Sequence, residues 1–337
     1  MSEFLPFLLI MQLVSAVFVY FESKRFKIPN RILWVIGVAL FMPFFFPFYM
    51  LIRPKRVIFV CQNCSEENVY PIERCRNCND EITPDKVVPI RTQWGLMDAF
   101  MILILSFFLL PMGLAGVANR LGIVDKELSS WGSIFAFNFI GTTSLLIISL
   151  WFLIKICKRS LVDIGLSRDN KLYRNILIGI ALVIPALFLS YAVEEATIKS
   201  LVIIAPSQAE KIYEMQAKEH SIPGEIWPDD TREVGKFLSA GLLMIILAPI
   251  AEEIMFRGII YNALRIKRSL LTSLILSGFI FAFVHGQAIH FGEIFVIGVL
   301  LAYIYERTKS LIAPITLHIV LNLAFLIAWY YFPSLYT

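Results

Sequence analysis

The sequence predicts an all-α polytopic membrane protein with roughly eight or nine transmembrane helices and one small polar insertion rich in cysteine. Three observations carry that prediction. Hydrophobic residues make up 58% of the 337 positions, where ordinary globular chains hold about 45–50%, and the mean hydropathy is +0.73. Charged residues are 17% of the chain and gather between apolar runs. Those runs approach the ~20 residues of a helix that crosses the hydrocarbon core, and helices or closed barrels are what satisfy the backbone in lipid. The net charge of +4 sits in short loops, where it bears on orientation, and no nucleic-acid partner is expected.

The first apolar run covers residues 4–21. Glu3 precedes it, with no Lys or Arg and no small-residue cleavage site, so it reads as an uncleaved span. The second, 32–52, is broken by Pro43 and Pro47 and reads as a kinked span or a re-entrant hairpin. Residues 53–92 are polar. Further apolar runs lie at about 95–118, 131–156, 175–192, 237–262, 270–286, 291–305 and 311–332. Between two of them, residues 196–235 form the longest hydrophilic loop, rich in Glu and Asp. Within that loop PSQAEKIYEMQAKEH reads as a short surface helix ending in an exposed His220.

Orientation follows from Lys and Arg in short loops. Lys158, Arg159, Arg168, Lys171 and Arg174, then Arg265, Lys267 and Arg268, then Arg307 and Lys309 fall on one face by alternation, and that face is assigned as cytoplasmic. The cysteine segment lands there too, and the acidic loop lands opposite. Lys24, Arg25, Lys27 and Arg31 conflict with this alternation unless the second run is re-entrant.

The polar insertion reads Cys61-x-x-Cys64, ten residues, then Cys75-x-x-Cys78, while Cys157 stands alone. Two such knuckles place four thiolates around one tetrahedral Zn²⁺, with SEENVYPIER supplying hairpin strands. A redox dithiol pair, an iron site or a decayed remnant is the alternative. A four-cysteine site has no open coordination position, so the zinc is structural. A module this small folds poorly without metal, and its expected role is docking of a cytoplasmic protein partner or regulation on that side.

Charged and polar residues also interrupt the later apolar runs, where they are costly unless they face a protein interior or a cavity. In LLMIILAPIAEEIMFRGIIYNAL, Glu253 and Arg257 are spaced i, i+4 with the acid first, the favourable order for an ion pair. Glu252 lies about 100° further around the helix, so it does not share that partner and is the candidate general base. Pro249 opens the backbone just before it, and Gly258 allows close helix contact just after. His285 ends the next run, one turn beyond Phe281. His318 and Asn322, spaced i, i+4, share a face of the last run. Taken alone, His285 reads as a hydrogen-bonded core group, whereas the Glu252-Glu253-Arg257 patch already leans away from a purely structural ion pair. Three in succession point to a site. Gln287, His290 and Glu293, beside the 286–292 turn, read as a solvated loop that lines an entrance at most.

The ordered set Glu252-Glu253-x-x-x-Arg257, Phe281-x-x-x-His285 and His318-x-x-x-Asn322 resembles the CPBP family, the CAAX prenyl protease and bacteriocin-processing group also called Abi. The resemblance covers about residues 235–330. It implies an intramembrane endopeptidase in which Glu252 activates a water with help from His285. His318 and Asn322 would bind the developing oxyanion, and Glu253 and Arg257 would be structural support. A zinc site built from Glu252, His285 and His318 stays open as the alternative mechanism, with the metal-free glutamate route preferred on the resemblance. The expected organisation is an N-terminal transmembrane hairpin at 1–52, a zinc ribbon at 53–92, linking transmembrane helices at 93–160 and a CPBP-like protease core at 161–337.

The functional expectation is a bacterial multi-pass cell-membrane protease that cuts a peptide or membrane-protein substrate near the bilayer. A non-catalytic membrane scaffold or bacteriocin self-immunity protein on the same fold is the alternative. A transporter ranks third, because its polar residues would spread along a pathway.

Overall fold

The computed structural model describes residues 5–25, 28–53, 56–70, 72, 74–82, 89–125, 130–166, 171–226 and 234–331. Each apolar run forms a helix. In chain order these are α1 (Leu5–Arg25), α2 (Arg31–Ile52), α3 (Leu96–Arg120), α4 (Trp131–Ile156), α5 (Leu172–Ile204), α6 (Ala209–Ile226), α7 (Val234–Arg265), α8 (Leu270–His285), α9 (Phe291–Thr308) and α10 (Ile312–Tyr331). Among the described residues, α3, α4, α5 and α7 are long and apolar enough to cross a membrane, and Arg31–Met42, Leu270–His285 and Ile312–Ala328 are shorter apolar helices. Large apolar side chains such as Ile184, Phe188, Ile203 and Phe283 point outward, as they do on a surface solvated by lipid. The chain is a multi-pass helical membrane protein.

The chain divides into two compact units, Met1–Leu105 with Trp151–Arg159, and Ser106–Leu150 with Ser160–Thr337. In the first, α2 is not a single rod. Its backbone leaves helical values at Phe41 (φ −137°, ψ 55°), and the Trp34 ring lies 5.8 Å from that of Tyr49. Residues fifteen apart on a straight helix would be about 22 Å apart. The segment therefore doubles back as a helical hairpin, and the kinked through-span is excluded. Pro43 explains where it breaks. Proline has no amide to bond the carbonyl of Ala39, and the Gln12 side-chain amide bonds that carbonyl instead.

The hairpin returns the chain to the end it left. There the Arg53 guanidinium contacts Glu22 near the end of α1 and Asp98 at 3.2 Å in the first turn of α3. The basic stretch after Glu22 thus shares an end with the start of the cysteine segment, which removes the conflict in loop charge. Past Arg53, β1 (Arg56–Val60), β2 (Glu67–Tyr70) and β3 (Pro89–Gln93) form an antiparallel sheet in the order β2-β1-β3. Ile58 pairs with Val69 and Arg91, and the register shifts between Ile58 and Phe59 on the β3 side.

In the second unit α5 runs twelve residues past the expected end at 192. Glu194, Glu195 and Lys199 lower the hydropathy there without lowering helix propensity, and Lys199 pairs with Glu195 at 2.8 Å. The hydrophilic stretch accordingly begins near Ala205, and most of its described part is α6, the expected surface helix. The His220 side chain lies outside the described residues. Close helix contacts assemble the remainder. A Cβ on Gly278 of α8 would stand 2.8 Å from the Phe295 carbonyl oxygen of α9, and one on Gly298 of α9 would stand 3.0 Å from the Gly278 Cα.

Candidate active site and cysteine cluster

The site is built on α7, whose backbone is irregular where the chemistry sits. Leu242–Leu247 and Ile254–Tyr261 are wound as π-helix, a form frequent at functional sites. In the first stretch the Ala248 amide bonds the Leu243 carbonyl, five residues back. The next amide in that register belongs to Pro249, which has none, so the Met244 carbonyl is freed. Asn322 Nδ2 of α10 donates to it at 3.0 Å. Between the two π stretches, Ala248–Glu253 is a short α-helical turn that presents Glu252 and Glu253 in different directions.

Glu253 and Arg257 form the expected pair. Arg257 Nη1 donates to Glu253 Oε1 at 2.8 Å, and both side chains are fully buried. Arg257 Nη2 donates to the Gly298 carbonyl at 3.0 Å, and its guanidinium lies 4.5 Å from the centre of the Phe281 ring. The two fully buried charges of this pair thus neutralise each other, as burial requires. Glu253 Oε1 also faces His318 Nδ1 at 3.0 Å, so the support pair holds one of the imidazoles directly.

Glu252 looks elsewhere. Its Oε2 lies 3.9 Å from His285 Nε2 and 3.8 Å from His318 Nε2. These separations are too long for hydrogen bonds and suit a small molecule held among the three groups. That Oε2 is buried and has no hydrogen-bond partner. His285 Nδ1 faces the Phe281 carbonyl at 2.7 Å. A carbonyl only accepts, so Nδ1 carries the proton and a neutral ring turns the Nε2 lone pair toward Glu252. The Phe281 ring packs against both imidazoles and Phe256, with centroids 4.5 Å from His285, 5.9 Å from His318 and 5.0 Å from Phe256.

Glu252, Glu253, Arg257, His285 and His318 therefore converge, and Asn322 is tied to α7 two turns before Glu252, through the Met244 carbonyl. Sequence reasoning missed the Met244 carbonyl, for which Pro249 was the available signal. It also missed Gly298, which serves both as a close contact for α8 and as an acceptor for Arg257. His290 and Glu293 require a correction. His290 is only 6% exposed, and its Nδ1 meets Glu293 Oε2 at 3.1 Å, so these two are not solvated loop residues, while Gln287 stays half-buried between exposed neighbours.

The cysteines form a second centre, in the other unit. Cys61 Sγ lies 3.7 Å from Cys78 Sγ, and Cys64 Sγ lies 3.5 Å from Cys75 Sγ. A disulfide needs about 2.05 Å, whereas sulfurs bound at ~2.3 Å to one tetrahedral ion lie about 3.8 Å apart. The four sulfurs are arranged to bind a metal ion. The two knuckles repeat one backbone design. Cys61 N bonds Glu66 O and Ser65 N bonds Cys61 O, both at 2.9 Å, and Cys75 N bonds Asp80 O at 2.8 Å with Asn79 N bonding Cys75 O at 3.1 Å. Ser65 and Asn79 both take positive φ. Backbone amides of Cys78 and Asn77 aimed at the Cys75 sulfur lower that thiol to about 6. Asn68 Nδ2 adds a bond to it at 3.3 Å, a contact that sequence reasoning did not find. Cys157 is buried apart from the cluster.

Comparison with known proteins concerns the α7–α10 region. Residues 234–324 match the family model described as Type II CAAX prenyl endopeptidase Rce1-like. A curated relative named "Putative membrane peptidase YdiL" of Bacillus subtilis (strain 168) is 35% identical over 98 residues, 28% of this chain and 40% of that protein. The chain thus matches about two fifths of the relative's length. No solved structure matches the chain. The matched segment, 234–324, carries the glutamates, both histidines and the asparagine, and its likeness is to the Rce1-like endopeptidases.

Proposed function

We propose that the protein is an intramembrane endopeptidase in which Glu252 activates a water for attack on a peptide bond. The observation that carries this reading is the placement of Glu252 Oε2, unpartnered and 3.8–3.9 Å from the Nε2 atoms of two histidines. A water there donates one hydrogen to Glu252 and the other to His285 Nε2, which leaves its lone pair for the carbonyl carbon. Glu252 takes the proton as the bond forms.

The oxyanion then needs donors. His318 has its Nδ1 on the Glu253 carboxylate, so as an imidazolium it offers Nε2–H to the developing charge. Asn322 uses one amide hydrogen on Met244 and keeps a second for the same oxygen. In this state Glu252, Glu253, Arg257 and His318 sum to zero charge, which suits a low-dielectric site. Glu253 and Arg257 act as support. The same donors admit a catalytic metal at Glu252, His285 and His318. The metal-free route stays preferred on the family resemblance of the three motifs.

The cysteine cluster is assigned as a structural zinc ribbon. Loop charge supports a cytoplasmic position for it, since the α2 hairpin brings the basic stretch after Glu22 to the same end. The working organisation remains hairpin at 1–52, ribbon at 53–92, linking helices at 93–160 and protease core at 161–337, with a peptide or membrane protein as substrate. The test is Glu252→Gln in the native host, with peptides released from membranes profiled by mass spectrometry. The reading requires specific termini present with the wild type and absent with an equally abundant variant. Unchanged termini would favour the scaffold or immunity function.

A further inference from the structure

Beyond the active site, a second group of ligand side chains closes around the turn between α8 and α9. Glu194 comes from α5, His290 from the end of the turn and Glu293 from the first turn of α9. His290 Nδ1 is 3.1 Å from Glu293 Oε2 and 3.9 Å from Glu194 Oε1, and the three donor atoms all lie within 4.8 Å of one another. Their side chains are 8%, 13% and 16% exposed for His290, Glu293 and Glu194.

We propose that Glu194, His290 and Glu293 hold a divalent transition-metal ion such as zinc. Bonds of ~2.0–2.1 Å to one tetrahedral ion separate ligand atoms by about 3.3–3.4 Å, and the two measured separations straddle that value. The donor set also points to this class of ion. Imidazole suits zinc and its neighbours, whereas calcium and magnesium prefer all-oxygen sites. Two carboxylates converge here, and a third, that of Glu219 on α6, bonds the same turn. Their partners include the neutral Ser190 hydroxyl, which donates to Glu293, and the Gln216 amide, which donates to Glu194 at 2.9 Å. Such outer bonds orient carboxylate ligands. Glu219 fixes the backbone itself by accepting from the amides of Ala288 at 2.8 Å, Ile289 at 3.0 Å and His290 at 3.1 Å. Three protein ligands leave a position for water. Because the turn joins His285 to His290, the ion would tie α5 and α9 to the peptide segment that carries a candidate catalytic imidazole.

The test is zinc stoichiometry on the full-length protein in detergent, loaded with Zn²⁺, dialysed and measured by mass spectrometry of the metal. Wild type should hold two zinc ions per chain. His290→Ala and Glu293→Gln should each hold one, as should the quadruple Cys61/Cys64/Cys75/Cys78→Ser protein, and the combination should hold none. With cobalt in place of zinc, His290→Ala should lose one ion while the thiolate charge-transfer band stays. Glu252→Gln should keep both ions. The proposal is overturned if His290→Ala and Glu293→Gln keep the wild-type count, or if Glu252→Gln loses an ion. A cysteine-free protein with no zinc would also overturn it, and that result does not depend on how the His290 variants fold.

Discussion

Replacing Arg257 tests the division of the polar patch into support and chemistry. Arg257→Leu removes the 2.8 Å bond to Glu253, the 3.0 Å bond to the Gly298 carbonyl and the cation over Phe281 at 4.5 Å. It leaves a fully buried Glu253 without its cation. Breaking a buried pair from one side costs about 3–5 kcal/mol, and the lost contacts share atoms, so they do not simply add. We take ~4 kcal/mol, a large part of the ~5–15 kcal/mol that folds a typical protein. Adding Glu253→Gln removes the orphaned charge, so the double variant should recover at least ~2 kcal/mol of that loss. Glu252→Gln, which removes a charge with no partner, should stay within about 1 kcal/mol of wild type. Reversible unfolding in mixed micelles, followed by tryptophan fluorescence, measures the wild type, Arg257→Leu, Glu253→Gln, their double variant and Glu252→Gln. The reasoning is refuted if Arg257→Leu costs under ~1 kcal/mol, or if the double variant is as unstable as the two single losses summed.

Further outcomes follow from other contacts. Gly298→Ala places a methyl 3.0 Å from both the Gly278 Cα and Phe281 Cδ1; unfolding titrations should show a cost of about 1–3 kcal/mol, and activity should fall because Phe281 packs on both histidines. Asn68→Ala removes the bond to Cys75 Sγ, and chelator competition should show metal affinity at the cysteines about 10–100-fold weaker. Stripping metal from the cysteines should abolish amide exchange protection in β1 and β2 while protection in α8 and α9 persists; equal loss in all four elements would contradict a local role.

Much of the site was legible in the sequence because intramembrane charge is costly and helical spacing is regular. The i, i+4 spacing of Glu253 and Arg257 anticipated their ion pair, and the angular offset of Glu252 anticipated that it does not share Arg257. What stayed hidden depended on backbone irregularity or on partners distant in sequence. Pro249 announced an opening but not that Asn322 would fill it, because the π register selects which carbonyl is freed. The α2 hairpin was one of two readings until the Trp34–Tyr49 contact decided it. Hydropathy ended α5 too early at its first charges, and that hid Glu194. His290 and Glu293 resembled a solvated loop because α5 and α6, which bury them, are 70 to 100 residues earlier in the chain.

The most direct test of the account is hydrolysis itself. Membranes carrying the wild type or Glu252→Gln, at matched abundance and matched melting behaviour, would be compared for the rate at which the termini found in the host are generated. Loss of a general base should slow that rate by about 10²–10⁴-fold without loss of the folded protein. A Glu252→Gln protein that generates the same termini at the wild-type rate would contradict the central claim, whatever the remaining site residues do.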